Sequence, residues 1–242
     1  MISLLFISIV LNGLLPDYSM IDGPTLLQRS INYHDPEGKW PTAQLTLEFE
    51  ETRPDAEPRF TTINIDNVNG NFCIIRQVDG KKVKRHIIQG DCTYGLDETV
   101  EISPEEMQTF KLNDERTFTM RDYYLYLWGL PMKLNDVGTI IHEEVESTLF
   151  EGKETLKLKV TYEAETGSDT WYFYINPDTY AMIGYQFFHD ELKGDGEFIV
   201  LGESEEVFGM RLPNHRSWFT NKDSVLLGTD SFTSFDHLKL HH

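Results

Sequence analysis

The chain of 242 residues carries 40 acidic side chains (Asp plus Glu) against 21 basic ones (Lys plus Arg), a formal net charge of −19. That balance excludes nucleic acid as the main partner, since its phosphates must be met by clustered Lys and Arg. It equally excludes an anionic membrane surface, which needs a polybasic face. With 40% hydrophobic and 12% aromatic residues, the chain has the material for a packed core, not for a disordered segment.

The first element is an address. Ile2 to Leu15 is an apolar run broken only by Ser3, Ser8, Asn12 and Gly13. A membrane-spanning helix needs ~20 apolar residues, so this shorter run fits the h-region of a secretory signal peptide over residues 1–20. No Lys or Arg follows Met1 and no small-x-small site precedes Asp22, so a buried N-terminal helix or strand is the competing reading. The only cysteines are Cys73 and Cys92, and neither ends the leader where a lipid could be attached. The expected mature chain, residues 21–242, is therefore a soluble protein of the periplasm or the medium, not a lipoprotein. Losing residues 1–20 removes only Asp17, so the acidity belongs to the mature domain.

Asp22 with Pro24 predicts a helix start. Leu26, Leu27 and Ile31 give that helix its apolar stripe, and Pro36 ends it by disfavouring helix at Asp35. The period then changes to two. Leu45, Leu47 and Phe49 alternate with Thr46 and Glu48, and Ile63 and Ile65 continue the pattern. Asn69–Gly70 and Asp79–Gly80 are tight turns, the second placing Val78 opposite Lys81. That register sets Cys73 against His86 and leaves Cys92 beyond the end of the partner strand, so a disulfide and two free thiols both remain open.

Between Asp91 and Asp136 the strand pattern stops. Ser103, Pro104 and Glu106 form a capping box that starts one short helix, and Arg121 to Trp128 forms a second, strongly aromatic one. Strands resume through Leu156–Tyr162, Trp171–Ile175, Tyr180–Phe188, Phe198–Leu201, Val207–Leu212, Arg216–Asn221 and Val225–Thr233. About eleven antiparallel strands around a helical insert must hide their edges, and curling is the usual solution. The expected fold is mainly β: one domain over 21–242, a single curled sheet or half-open β-barrel with lid or plug helices.

Several phrases carry a resemblance: YHDPEGKW (33–40), FEETRP (49–54), YYLYLWGLPMKL (123–134), LKVTY (158–162), WYFYINPDTYAMIGYQFFHDE (171–191) and NKDSVLLGTD (221–230). Together they resemble an uncharacterised family of exported Bacteroidota proteins, from about residue 23 to 235. That family has no established catalytic residues to carry over. More distantly, the order helix, strands, helical insert, strands resembles the unclosed barrel of the periplasmic lipoprotein-localisation carriers. The resemblance implies a concave sheet and lid helices that hold acyl chains between them.

Signatures of catalysis do not assemble. Gly202–Glu203–Ser204–Glu205–Glu206 breaks the serine-hydrolase elbow at its last position, and His142–Glu143–Glu144–Val145–Glu146 lacks the second histidine of a zinc motif. Glu50–Glu51, Glu105–Glu106, Glu143–Glu144 and Glu205–Glu206 read as solvating surface pairs. No cofactor, metal site or catalytic residue is expected. The leading expectation is a carrier that sequesters a lipid or lipoprotein acyl chain. Tyr124, Leu127, Trp128 and Met132 are its lid contacts, with Phe173, Tyr185 and Trp218 on the concave sheet. Lys81, Lys82, Lys84 and Arg85, four basic residues within five positions, are a candidate docking point for an anionic partner, or else a charged edge that blocks aggregation. The alternatives are a carboxylate-dependent hydrolase on the same scaffold and an envelope assembly or scaffold protein.

Overall fold

In the computed structural model, which describes residues 21–99 and 101–237, the chain opens with α1 (Gly23–His34). Asp22 caps it by accepting from the Thr25 N–H at 2.8 Å, and it stops at Asp35, as the sequence predicts. The leader assigned to residues 1–20 lies outside the described residues. Five strands follow as a meander: β1 (Gln44–Arg53), β2 (Ala56–Asp66), β3 (Asn71–Val78), β4 (Lys81–Ile88) and β5 (Asp91–Leu96). Asp79 and Gly80 both adopt positive φ, 50° and 76°, the primed-turn geometry that matches strand twist. Helices α2 (Pro104–Thr109) and α3 (Asp114–Gly129) interrupt the sheet.

The second strand block is β6 (Thr139–Phe150), β7 (Lys153–Tyr162), β8 (Thr170–Ile175), β9 (Met182–Phe188), β10 (Glu197–Leu201), β11 (Ser204–Val207), β12 (Met210–Pro213), β13 (His215–Thr220) and β14 (Leu226–His237). Twelve strands make one curled antiparallel sheet in the order β5-β4-β3-β2-β1-β14-β13-β10-β9-β8-β7-β6, and β11–β12 is a separate hairpin. The two blocks are joined only where β1 pairs β14, Glu51 lying opposite Asp230. Because β5 and β6 end the order without pairing, the barrel is open. Glu143, Glu144 and Glu146 are exposed on β6, charges that keep an edge strand from templating further pairing.

Alternation along β1 buries Leu45, Leu47, Phe49 and Glu51 on the concave face. Ile63, Ile65, Phe72, Ile74 and Ile87 extend that face one way and Leu156, Leu158, Phe173 and Ile199 the other, in one continuous core with α1 and α3. At Gly129 the end of α3 meets Trp40 so closely that an added Cβ would stand 2.5 Å from the indole, so only glycine fits there. Three expectations need correction. The second helix begins at Asp114, not near Arg121, because Asn113 caps it by accepting from the Arg116 N–H at 2.9 Å. Strand β5 occupies part of the expected break. Finally, the run Val207–Leu212 leaves the sheet as the β11–β12 hairpin, so β10 pairs β13 directly.

Candidate functional site

The concave face is not polar-free. Where β1, β14, β13 and β10 run side by side beyond the cover of α3, a solvent-open cleft of about 350 Å³ is lined by Glu51, Arg59, Tyr123, Glu197, Trp218 and Asp230 among others. Gly228, opposite Trp218, forms part of its wall, and β14 bulges beside it, between the Trp218 and Phe219 pairings. Bulges of this kind re-aim side chains next to sites.

Glu51 is the hub. Arg59 donates Nε–H to Oε2 at 2.7 Å and Nη2–H to Oε1 at 2.8 Å, and Arg76 donates Nη2–H to Oε1 at 3.1 Å. Thr61 donates its hydroxyl to Oε2, and the Tyr124 hydroxyl reaches Oε1 at 3.3 Å and also meets Arg76. Burial pushes the Glu51 carboxyl up, but Arg59, Arg76 and Thr61 outweigh it and hold the group below its ordinary range. Asp230 is different. Burial first, and the Glu51 charge second, push its carboxyl up to about 7 against the pull of Arg216, Arg76 and Arg59. Glu197 is also pushed up, by burial. The cleft therefore sets an ionised carboxylate beside a carboxylic acid that stays neutral close to pH 7.

Helix α3 crosses this face with its aromatic end inward. Trp128 stacks on Phe232 with centroids 4.6 Å apart, and Tyr126 meets the Tyr162 hydroxyl at 2.5 Å and the Trp171 ring edge-on. Arg216 donates Nη2–H to the Leu127 carbonyl at 3.0 Å. A further cavity, about 420 Å³, is lined by residues of α2, α3 and the turn between them, including Lys111 and Arg116, with no sheet residue among them.

The seven expected ligand contacts divide unevenly. Tyr124, Leu127, Trp128, Met132, Phe173 and Tyr185 are all buried in the continuous core, while Trp218 lines the cleft. Tyr123, read from sequence only as part of the aromatic run, is half exposed on the cleft wall. The basic cluster is split by strand alternation. Arg85 faces inward, buried, and donates Nη2–H to the Phe110 carbonyl at 2.6 Å, while Lys81 pairs with Asp97 at 3.1 Å. Lys82 and Lys84 lie on the opposite face of β4 from Arg85, so the four cannot act as one patch. Glu51 is the second correction, a buried hub and not a solvating charge. The alternation Leu45, Leu47, Phe49 is in phase with it, and that was the signal available. Both cysteines are free: Cys73 faces His86 on β4, whereas Cys92 pairs with Ile87, one residue along and so on the other face.

A family of unknown function (DUF6503) matches residues 2–234, nearly the whole chain. The chain belongs to that family. Comparison with curated proteins finds no match. Among solved structures the chain is similar to a LolA superfamily protein from Nitrosomonas europaea, with 8% identity, a TM-score of 0.53 and coverage of 91% of this chain and 95% of that one. It is also similar to a domain from Vibrio parahaemolyticus assigned to outer membrane lipoprotein sorting, at 10% identity, a TM-score of 0.51 and coverage of 91% and 94%. At such identities the likeness is one of fold. It shows that this chain shares the open-barrel fold of those structures.

Proposed function

We propose that this protein is an exported carrier that takes up a lipid or lipoprotein acyl chain between the concave sheet and α3, entering at the cleft beside Tyr123 and Trp218. The observation that carries the reading is the cover of the concave face. A wide apolar sheet is covered not by a second sheet of similar size but by helices α1 and α3 and the small β11–β12 hairpin, and the cover by α3 stops at an aromatic-lined opening. The likeness in fold to lipoprotein-sorting domains supports it, and no described helix is long and apolar enough to cross a membrane.

Energetics set a threshold. Tyr124, Leu127 and Trp128 fill the face with α3 in place, and lifting three such side chains into water costs roughly 5–9 kcal/mol. Each buried methylene returns ~0.8 kcal/mol, so about six to eleven are needed before a chain displaces the helix. The test is a series of linear acyl chains of increasing length, with binding read by native mass spectrometry and tryptophan fluorescence. Affinity should be negligible for short chains and climb steeply once that length is passed. A protein that binds no chain of any length lies outside the carrier reading.

A second reading has an observation of its own. A neutral Asp230 beside an ionised Glu51 is the acid-and-carboxylate pairing that a hydrolase uses. Against it, the oxygens of Glu51 are already engaged by Arg59, Thr61, Arg76 and Tyr124, which leaves it poorly placed as base or nucleophile. Turnover of a glycan or ester panel, abolished in Asp230→Asn, would establish the hydrolase instead.

A further inference from the structure

Behind the cleft lies the most deeply buried cation among the described residues. Arg216 is 1% exposed and pairs across the sheet with Asp230 on one side and Leu201 on the other. Its guanidinium lies 3.8 Å above the centre of the Trp128 ring, and Nη2 is spent on the Leu127 carbonyl. Its Nε and Nη1 have no partner among the described residues. The Trp128 indole nitrogen, equally buried, has none either, and the Tyr185 hydroxyl, also buried, has only the Arg216 guanidinium beside it and no well-aligned bond. Tyr185 belongs to the row of Trp218, with Ile199 between them, and Arg216 pairs with Asp230 of the cleft lining, so these groups lie behind the cleft without lining it.

Leaving a buried guanidinium largely unsatisfied is costly, and native folds avoid it unless something else supplies the partner. The neighbouring carboxyl does not supply it: Asp230 makes no ion pair with Arg216 and is held neutral up to about 7. The charges around Asp230 lean the same way: three guanidiniums, Arg59, Arg76 and Arg216, stand against two carboxyls, Glu51 and Asp230 itself, in a chain whose total is −19. Every orphaned group can donate a hydrogen bond, so what the site lacks is an acceptor with negative charge.

We propose that Arg216, with Tyr185 and Trp128, receives the oxoanion head, a carboxylate or phosphate, of an amphiphile whose chain lies on the concave face. This rests on the carrier reading and adds the polarity of the cargo to it. A purely structural role, clamping α3 through Leu127 and Trp128, uses Nη2 and the ring stack and leaves Nε, Nη1 and the Trp128 indole N–H without an acceptor, with the Tyr185 hydroxyl beside the guanidinium as a further donor.

The experiment compares dodecanoate, dodecyl phosphate and dodecanol by native mass spectrometry and tryptophan fluorescence on the full chain. At least one of the two anions should bind about ten-fold or more tightly than the alcohol, a ratio equal to about 1.4 kcal/mol, and the stronger of the two identifies the head. Arg216→Met should abolish that ratio, whereas loss of the clamp on Leu127 and Trp128 alone would change the affinity for all three probes together and leave the ratio intact. Tyr185→Phe, which deletes one oxygen and preserves the packing, should lower the ratio and serves if the Arg216 variant does not fold. Equal binding of all three probes overturns the head-group assignment and leaves the carrier reading standing. A full anion preference that survives in both variants also overturns it. Failure to bind any probe overturns both.

Discussion

His34 joins three elements, and acid should loosen them. The imidazole is fully buried: its Nε2 accepts the Met182 N–H at 2.9 Å, so Nδ1 carries the proton and donates to the Arg211 carbonyl at 2.6 Å. This ties α1 to the start of β9 and to the β11–β12 hairpin. The Met182 contact demands the neutral ring, and burial above all lowers its pKa from 6.5 to about 4 against the pull of the Arg211 carbonyl. In the unfolded chain the ring takes a proton as pH falls through about 6.5, while the folded chain resists until about 4. Its contribution is therefore complete above about pH 6.5 and drains away as pH falls toward 4. At about pH 5, slightly above the isoelectric point of 4.7, linkage gives a loss of ~2 kcal/mol relative to about pH 7.5. Urea unfolding of the native protein and of His34→Gln, followed by tryptophan fluorescence at both pH values, isolates the term, because every other titrating group is common to the pair. The stability difference between them should shrink by about 2 kcal/mol on acidification. A difference that stays constant to within ~0.5 kcal/mol would refute the assignment of a buried neutral ring.

Asp230 should act in the opposite sense. Its folded pKa of about 7 exceeds the ordinary 3.8, so stability falls as pH rises from about 4 to 7. Asp230→Asn should abolish that decline and be more stable near pH 8 by up to ~4 kcal/mol in denaturant melts. The cysteines should remain unbridged under air. Alkylation of the native protein should mark Cys92 well before Cys73, because burial closes off the Cys73 thiol and raises it to about 12, whereas Cys92, though also raised by burial and Asp114, is only partly buried and thiolates are what react. Labelling of Cys73 at a comparable rate would contradict its placement.

Much of the fold was legible because its signals are local. Asp22, Ser103 and the Asp79–Gly80 pair each fix their element through neighbours within a few residues, and the alternation from Leu45 to Phe49 assigns the inward face. The missed elements lack such signals. Strand β6 lies at an open edge with most of its residues exposed or half-exposed, so His142 to Ser147 has no need of apolar alternation. The first turns of α3 send only Thr117 and Met120 inward, too few to announce a stripe. The detour of β11–β12 reflects pairing between distant strands, which no local pattern encodes. The cleft was hidden for a related reason. Glu51, Asp230 and Arg216 are single charges in apolar phase, and each acquires meaning only when the register sets it beside the others.

That register has a mechanical consequence. Each half of the sheet is a run of mostly local hairpins, but the two halves are zipped by one long-range seam, β1 against β14. The seam closes only after the last strand has been made, and its loop-closure cost makes it the slow, late step of assembly. The cleft straddles it, with Glu51 and Thr52 on one side and Thr229 and Asp230 on the other. Cargo seated there would stitch the halves together, so an occupied protein should resist unfolding where an empty one first unzips.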